Sequence, residues 1–148
     1  MCDQKAQSVR WFEEVWNQQR VESIDELFAP SGLCYGLGTS GAPLMGPEEF
    51  KPFHRMFLGA FPDLKIEVEM VLGEGEMTVV RFTATGTHLG DTLGFSATGR
   101  TMHITGMSMI RWENNQIAEG WNNFDQFNMF LQLGDPLGMA AEGTVQLR

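Results

Sequence analysis

The order of patterns along the sequence predicts an α+β fold in which helices cover one face of a curved antiparallel sheet. Apolar residues recur at helical spacing over the first 61 residues, and from about residue 66 to residue 125 they alternate with a period of two. The turns between the alternating segments are short. Helices followed by a run of strands are typical of α+β domains, whereas doubly wound parallel folds alternate the two. A sheet of four to six strands covered in this way must curl, and it then forms a cone whose mouth is a natural ligand pocket.

The length and composition predict one domain with a substantial apolar core. A chain of 148 residues matches the usual size of a single domain, so we assign 1–148 to one domain with its core at about 8–134 and a tail over 135–148. Hydrophobic residues make up 43% of the chain, and 11 Phe and 4 Trp supply much of the volume. Phenylalanine brings no hydroxyl that must be satisfied, which suits a core or an apolar pocket.

Three helices are predicted before the sheet. The first covers 8–18 and turns Val9, Phe12, Val15 and Trp16 to one side. A short second helix begins at Ser23 and is stopped by Pro30, and a glycine-rich loop follows over 31–46. Pro47 occupies the first turn of the third helix. That helix carries a stripe of four aromatic residues: Phe50, Phe53, Phe57 and Phe61.

Four strands and a closing helix follow. The alternation predicts strands over 66–72, 77–88, 101–112 and 116–125, with tight turns at 73–76 and 113–115. A short apolar helix then ends at Gly134.

Charge and motifs exclude several classes of function. A net charge of −9 disfavours nucleic acid and anionic membrane surfaces as partners. Two cysteines form no disulfide framework, and no signal-peptide core or membrane span is present, so we expect a cytoplasmic protein. Nucleotide-binding and metal-binding motifs are absent, and we expect neither a metal nor another cofactor.

Asp125 is the strongest candidate for acid–base chemistry. Strand parity places it on one face with Trp121 and Asn123, at the end of an apolar strand. A carboxyl in an apolar pocket has a raised pKa, which suits a general acid or base near neutral pH. The alternative is that Asp125 caps the helix that follows, and position alone favours the cap.

Two histidines are candidates to assist it. His103 shares a strand face with Met107, and His88 ends the preceding long strand beside a glycine-rich loop. Either ring could polarise a ligand, although a structural role for His103 and an exposed loop position for His88 are the ordinary alternatives.

The sequence resembles the SnoaL-like polyketide (ester) cyclases. The matching segments are 61–64 (FPDL), 81–88 (RFTATGTH), Gly94, 97–100 (ATGR), 119–125 (EGWNNFD) and 131–134 (LQLG). The resemblance implies the cone-shaped α+β barrel of nuclear transport factor 2, dimers formed through the sheet, and ring closure by an intramolecular aldol reaction without metal or cofactor. It implies that Asp125 is the acid/base group, accompanied by His103 or His88.

The implied ligand is a small apolar molecule that contains a carbonyl group. The residues expected to contact it are Trp16, Phe53, Phe57, Phe82, Met107, Trp121 and Asn123. Two alternatives stay open: a noncatalytic binder that uses the same pocket, and an isomerase or epoxide hydrolase on the same fold. An epoxide hydrolase would need aspartates bridged by an arginine such as Arg81 or Arg111.

Overall fold

The computed structural model describes residues 3–37 and 41–135. Within these ranges the predicted α+β architecture is confirmed, with four α-helices, one π-helix and six strands. The helices are α1 (Gln4–Arg10), the π-helix (Trp11–Asn17), α2 (Val21–Leu27), α3 (Gly46–Ala60) and α4 (Gln126–Gln132). The strands are β1 (Phe28–Tyr35), β2 (Leu44–Met45), β3 (Lys65–Glu74), β4 (Met77–Thr87), β5 (Thr101–Glu113) and β6 (Gln116–Phe124). Apart from its first residue, the predicted tail lies outside the described residues.

The six strands form one curved, unclosed sheet in the order β2-β1-β6-β5-β4-β3. The long strands β3 to β6 are successive antiparallel neighbours, as the short turns predict for β3–β4 and β5–β6, while a longer connection over 88–100 joins β4 to β5. The sheet is nevertheless mixed rather than wholly antiparallel, because β1 runs parallel to β6. No helix in the described ranges is long and apolar enough to cross a membrane.

β1 corrects the prediction for the segment after the second helix. That segment was expected to be a helix end and a loop, but α2 stops at Leu27 and a strand begins at Phe28. The register shifts between Phe28 and Leu33, around Pro30, which has no N–H to donate to a ladder. This irregularity breaks the alternation by which a strand is recognised, although Phe28 and Cys34 both lie in the core.

The first predicted helix is in fact two helices of different pitch. α1 ends at Arg10 and continues as the π-helix, in which the Gln18 N–H donates to the Glu13 carbonyl five residues earlier (2.9 Å). The wider turn brings Trp11 and Trp16 to the same side, each 7% exposed. Val9, expected on the buried face, is 43% exposed instead.

The alternation along the long strands separates an inner face from an outer face. Burial in β5 alternates along nearly its whole length, with even-numbered residues buried and odd-numbered residues exposed or half-buried. The π-helix and α3 cover the inner face, where Trp11 packs against Phe28 and Phe50 with ring centroids 6.0 and 5.2 Å apart. The space between these helices and the sheet is the pocket described next.

Candidate functional site: an apolar pocket with one polar wall

The inner face of the sheet and the covering helices enclose a pocket of about 80 Å³. It is several times larger than the space of roughly 10–15 Å³ that one water molecule needs. The helical side is lined by aromatic rings, and the sheet side mainly by even-numbered residues of β4 and β5 and, from β6, by Ile117, Gly120, Asn122 and Phe124.

Four of the residues expected to contact a ligand line this pocket. They are Trp16 from the π-helix, Phe53 and Phe57 from α3, and Phe82 from β4. The Trp16 ring meets those of Phe53 and Phe57 nearly edge-on, at centroid distances of 6.1 and 6.0 Å. Edge-to-face contacts of this kind hold aromatic walls in defined orientations. Phe61, the last residue of the stripe, is fully buried and is not part of the lining.

Gly106 allows Phe82 to lie across the floor of the pocket. A Cβ atom at position 106 would stand 2.5 Å from the Phe82 Cζ and 3.0 Å from the Phe124 Cβ. A side chain on β5 at this point would therefore displace the Phe82 ring.

The polar part of the lining is a cluster of Cys34, Ser108 and Asn122, one residue from each of β1, β5 and β6. Ser108 and Asn122 are paired in the β5–β6 ladder, and the Ser108 hydroxyl donates to Asn122 Oδ1 over 2.6 Å. Asn122 Nδ2 donates to the Tyr35 carbonyl (2.9 Å) and to Cys34 Sγ (3.2 Å). We call these three side chains the polar wall.

Cys34 enters this wall as a neutral thiol. Burial raises the pKa of Cys34 to about 12, against a smaller lowering by the Asn122 amide. At neutral pH the sulfur is therefore neither a nucleophilic thiolate nor a source of charge in the pocket.

Asp125 does not line the pocket, so the expectation that it faces an apolar cavity is wrong. Its side chain is exposed, and it accepts a hydrogen bond from the Asn128 N–H (3.1 Å) as the N-cap of α4. The helix that begins at Gln126 has unpaired N–H groups, and this carboxylate satisfies one of them. The geometry is that of the capping alternative.

Four other expected residues belong to the outer face. His103, Met107 and Asn123 are exposed there, and Trp121 is half-buried with its ring stacked on Tyr35 (centroids 6.1 Å apart, planes at 10°). Odd-numbered residues of β5, and of β6 from Glu119 onward, share this face, opposite the pocket. None of the four is placed to contact a ligand held by the polar wall.

The arginines considered for epoxide chemistry are also remote from the pocket. Arg81 pairs with Glu69 (3.2 Å), and Arg111 pairs with Glu119 and Glu113 (3.0 Å each). The described lining contains neither aspartate nor arginine, so the arrangement required for an epoxide hydrolase is not assembled there.

His88 lies in an aromatic cluster beside the pocket and not in its lining. The ring is completely buried between Phe61 and Phe95, with centroids 5.7 and 5.2 Å away. Its Nδ1 accepts the Thr98 N–H (3.1 Å), which leaves the proton on Nε2, a buried atom without a hydrogen-bond partner among the described residues. His88 is therefore not placed to assist a ligand held in the pocket, and the alternative of an exposed loop histidine is also wrong.

Sequence reasoning missed Trp11 and the whole polar wall. The signal for Ser108 and Asn122 was present, because strand parity sets them on the faces opposite His103 and Asp125. On β6 the two faces are similar in polarity, so that strand did not indicate which of them the helices cover, although on β5 the even-numbered face is clearly the more apolar. Among the described residues, no three His, Cys, Asp or Glu side chains are grouped so as to hold a metal ion.

Comparison with known proteins agrees with the fold. The family model of SnoaL-like polyketide cyclases matches residues 6–133. No protein of curated function matches the chain significantly.

Among solved structures, IdmH of Streptomyces antibioticus, a candidate polyketide cyclase, is 27% identical with a TM-score of 0.77 over 89% of this chain and 99% of its own. A candidate SnoaL-like polyketide cyclase from Jannaschia sp. CCS1 is 23% identical with a TM-score of 0.80, covering 88% and 91% of the two chains. AclR of Streptomyces galilaeus, a candidate hydroxylase, is 23% identical with a TM-score of 0.76, covering 88% and 95%. The family match spans most of the chain, and the protein belongs to the SnoaL-like polyketide cyclase family.

Proposed function

We propose that this protein closes a ring in a small, largely apolar substrate that contains carbonyl groups and is held in the pocket. The observation that carries the proposal is an apolar cavity with one polar wall, enclosed between aromatic helices and the sheet. The family, and the similarity to a candidate polyketide cyclase at 27% identity, support the reaction class.

The pocket would act mainly by folding the substrate. No carboxylate or imidazole belongs to the described lining, so the proposal depends on a substrate carbon that is already acidic because it lies between two carbonyls. The enol carbon attacks a second carbonyl of the same molecule and forms the new carbon–carbon bond. The enol proton passes through water to the oxygen of the attacked carbonyl. Holding the two reacting carbons together is the effect that makes such a step fast.

Nonane-2,4,8-trione, a linear trione in which the carbon between two carbonyls can close a six-membered ring on the third carbonyl, tests this function when it is offered to the purified protein. We expect ring-closed product to form faster than in buffer, with saturation at high substrate concentration, as followed by liquid chromatography and mass spectrometry. The control is protein that has been unfolded in urea and is then diluted into the assay under conditions in which it does not refold. A rate equal to that in buffer contradicts the proposal.

A noncatalytic binder is the second candidate, and the neutral lining favours it. An uncharged pocket can hold an apolar molecule without any proton transfer. Saturable binding of the trione, measured by quenching of the fluorescence of Trp11 and Trp16, together with a rate equal to that in buffer, would support this candidate over the cyclase.

We also propose that two copies pair through the outer face of the sheet. Met107 and Met109 are 50% and 46% exposed there, beside the Tyr35–Trp121 stack. Exposed apolar side chains grouped on a sheet face are typical of an interaction surface. Light scattering should give the mass of a dimer for the wild type and of a monomer for Met107→Lys. A monomeric wild type contradicts the pairing.

A further inference from the structure

The donors and acceptors of the polar wall can be counted one by one. The Tyr35 carbonyl can only accept, so the group of Asn122 that faces it must be the NH₂. Asn122 Oδ1 is then the atom that faces Ser108, and the Ser108 hydroxyl must donate to it. The direction of each bond follows from the chemistry of the partners.

The hydrogen bonds within the polar wall leave few protons that could be donated to a ligand. Asn122 Nδ2 has two protons, and they go to Tyr35 and Cys34. A serine hydroxyl has one proton, and that of Ser108 goes to Asn122. The thiol proton of Cys34 remains, and a thiol is a weak donor.

Acceptor capacity remains on Ser108. A hydroxyl oxygen can accept two hydrogen bonds in addition to donating one, and no donor to Ser108 Oγ exists among the described residues. Ser108 is 3% exposed and belongs to the pocket lining, so its free lone pairs are almost shielded from bulk water. A ligand group that donates a hydrogen bond to this oxygen therefore displaces little water from it.

We propose that the polar wall selects an O–H donor, an enol or a phenol, in preference to a carbonyl oxygen at the same position. This selection rests on the proposed function, and it specifies which tautomer of the substrate is bound. An enolised 1,3-dicarbonyl would place its enol O–H against Ser108 Oγ. A phenol, the product when a closed ring aromatises, would make the same bond.

The dimensions of the pocket suit a single ring against this wall. The enclosed space of about 80 Å³ is bordered by Phe82 and Phe124 on the sheet and by Phe57 on α3. Phe57 and Phe124 meet edge-on, with centroids 6.1 Å apart. Phenol and benzaldehyde are matched probes, because they share the ring and differ in offering a donor or an acceptor.

The experiment measures the dissociation constants of phenol and of benzaldehyde, by ligand-observed NMR titration, for three proteins. In the wild type, phenol should bind more tightly than benzaldehyde. In Ser108→Ala the phenol-to-benzaldehyde preference should fall about 2- to 12-fold, the range expected for one hydrogen bond. Ser23→Ala removes a buried serine that bonds Glu14 away from the pocket, and it should keep the wild-type preference.

A second variant tests the direction of the bond. Asn122→Ala removes the acceptor that takes the Ser108 proton, so the hydroxyl becomes free to donate and the preference should move toward benzaldehyde. If both probes compete for the pocket of the wild type but benzaldehyde binds as tightly as phenol, the inference is wrong while the pocket assignment stands. If neither probe binds and the trione also fails to bind, the proposed function fails as well.

Discussion

Ser108 and Asn122 lie directly opposite each other on neighbouring antiparallel strands, and the serine hydroxyl donates to the amide oxygen over 2.6 Å inside an otherwise apolar pocket. Through its NH₂ group the same amide ties the last strand to β1, which runs parallel to it. One side chain therefore connects three strands and also sets the polarity of the pocket wall.

Replacement of Asn122 should destabilise the fold. Asn122→Ala leaves the Tyr35 carbonyl and the Ser108 hydroxyl without their partner, so we expect the free energy of unfolding to fall by about 2–4 kcal/mol. The measurement is urea unfolding followed by tryptophan fluorescence. Asn123→Ala changes the exposed neighbour on the outer face and should cost less than about 0.5 kcal/mol. Equal losses for the two variants would contradict the role given to Asn122.

Asp125 should behave as a helix cap. Asp125→Ala should lower the free energy of unfolding by about 1 kcal/mol, whereas Asp125→Asn should leave it nearly unchanged because asparagine caps as well as aspartate does. Since the carboxylate is exposed and bonded to the Asn128 N–H, Asp125→Asn should also retain the rate of trione ring closure. A folded Asp125→Asn protein that has lost turnover would show that this carboxylate reaches the substrate.

The fold could be predicted from the sequence more completely than the site could. Alternation in β4 and β5 and the Phe stripe of α3 are local patterns, and the structure reproduces both. In β3 the alternation predicted one buried face for Ile66, Val68, Met70 and Leu72, which is wrong for its second half: the register shifts between Val68 and Met70, and Met70 and Leu72 are 53% and 59% exposed. β1 was missed because its alternation is interrupted at Pro30 and its partner, β6, lies about ninety residues away in the sequence. Pairing between segments so far apart in the sequence produces no recognisable local sequence pattern.

The site depends on which face of the sheet the helices cover. Strand parity correctly separated Asn122 from Asp125, but parity alone cannot identify the buried face. The family resemblance drew attention to Asp125, whereas the structure places Asn122 in the pocket lining and Asp125 at the helix end.

The stability of the protein should decrease as the pH falls from 7.5 to 5.5. Burial lowers the pKa of His88 and of His54; for His54 the Arg55 charge adds to this, while the hydrogen bond to the Val15 carbonyl opposes it. Below a pH of about 6.5 these histidines bind protons more readily in the unfolded chain than in the folded protein. Their contribution to the free energy of unfolding is therefore full above that pH, and it is lost as the pH falls toward their pKa values in the folded state.

The measurement is the free energy of unfolding at both pH values. His54→Gln keeps a donor for the Val15 carbonyl, and its stability should depend less on pH than that of the wild type. His103→Gln replaces an exposed ring and should keep the wild-type dependence. An unchanged dependence in His54→Gln would contradict the account of this histidine.

The thiol of Cys34 should be nearly inert in the folded protein. With the pKa raised from 9.0 to about 12, the thiolate fraction at pH 8 is roughly 10³-fold lower than that of an ordinary thiol. In a Cys2→Ser background, an aromatic disulfide reagent should label Cys34 very slowly in buffer and at an ordinary rate in urea. Rapid labelling of the folded protein would show that the pocket is open to charged reagents.

The central claim is that ring closure takes place inside the pocket, and Gly120 offers the most direct test of it. Gly120 belongs to the lining, and a Cβ atom there would meet nothing closer than Ile117 Cγ2 at 4.0 Å, so Gly120→Leu should fill the cavity without disturbing the strand. Asn123→Leu adds the same side chain to the outer face of β6 and is the control. We expect Gly120→Leu to lower the rate of trione ring closure at least about tenfold, because the reacting groups can no longer be held together, while Asn123→Leu retains it. A folded Gly120→Leu protein that turns over at the wild-type rate would contradict the claim.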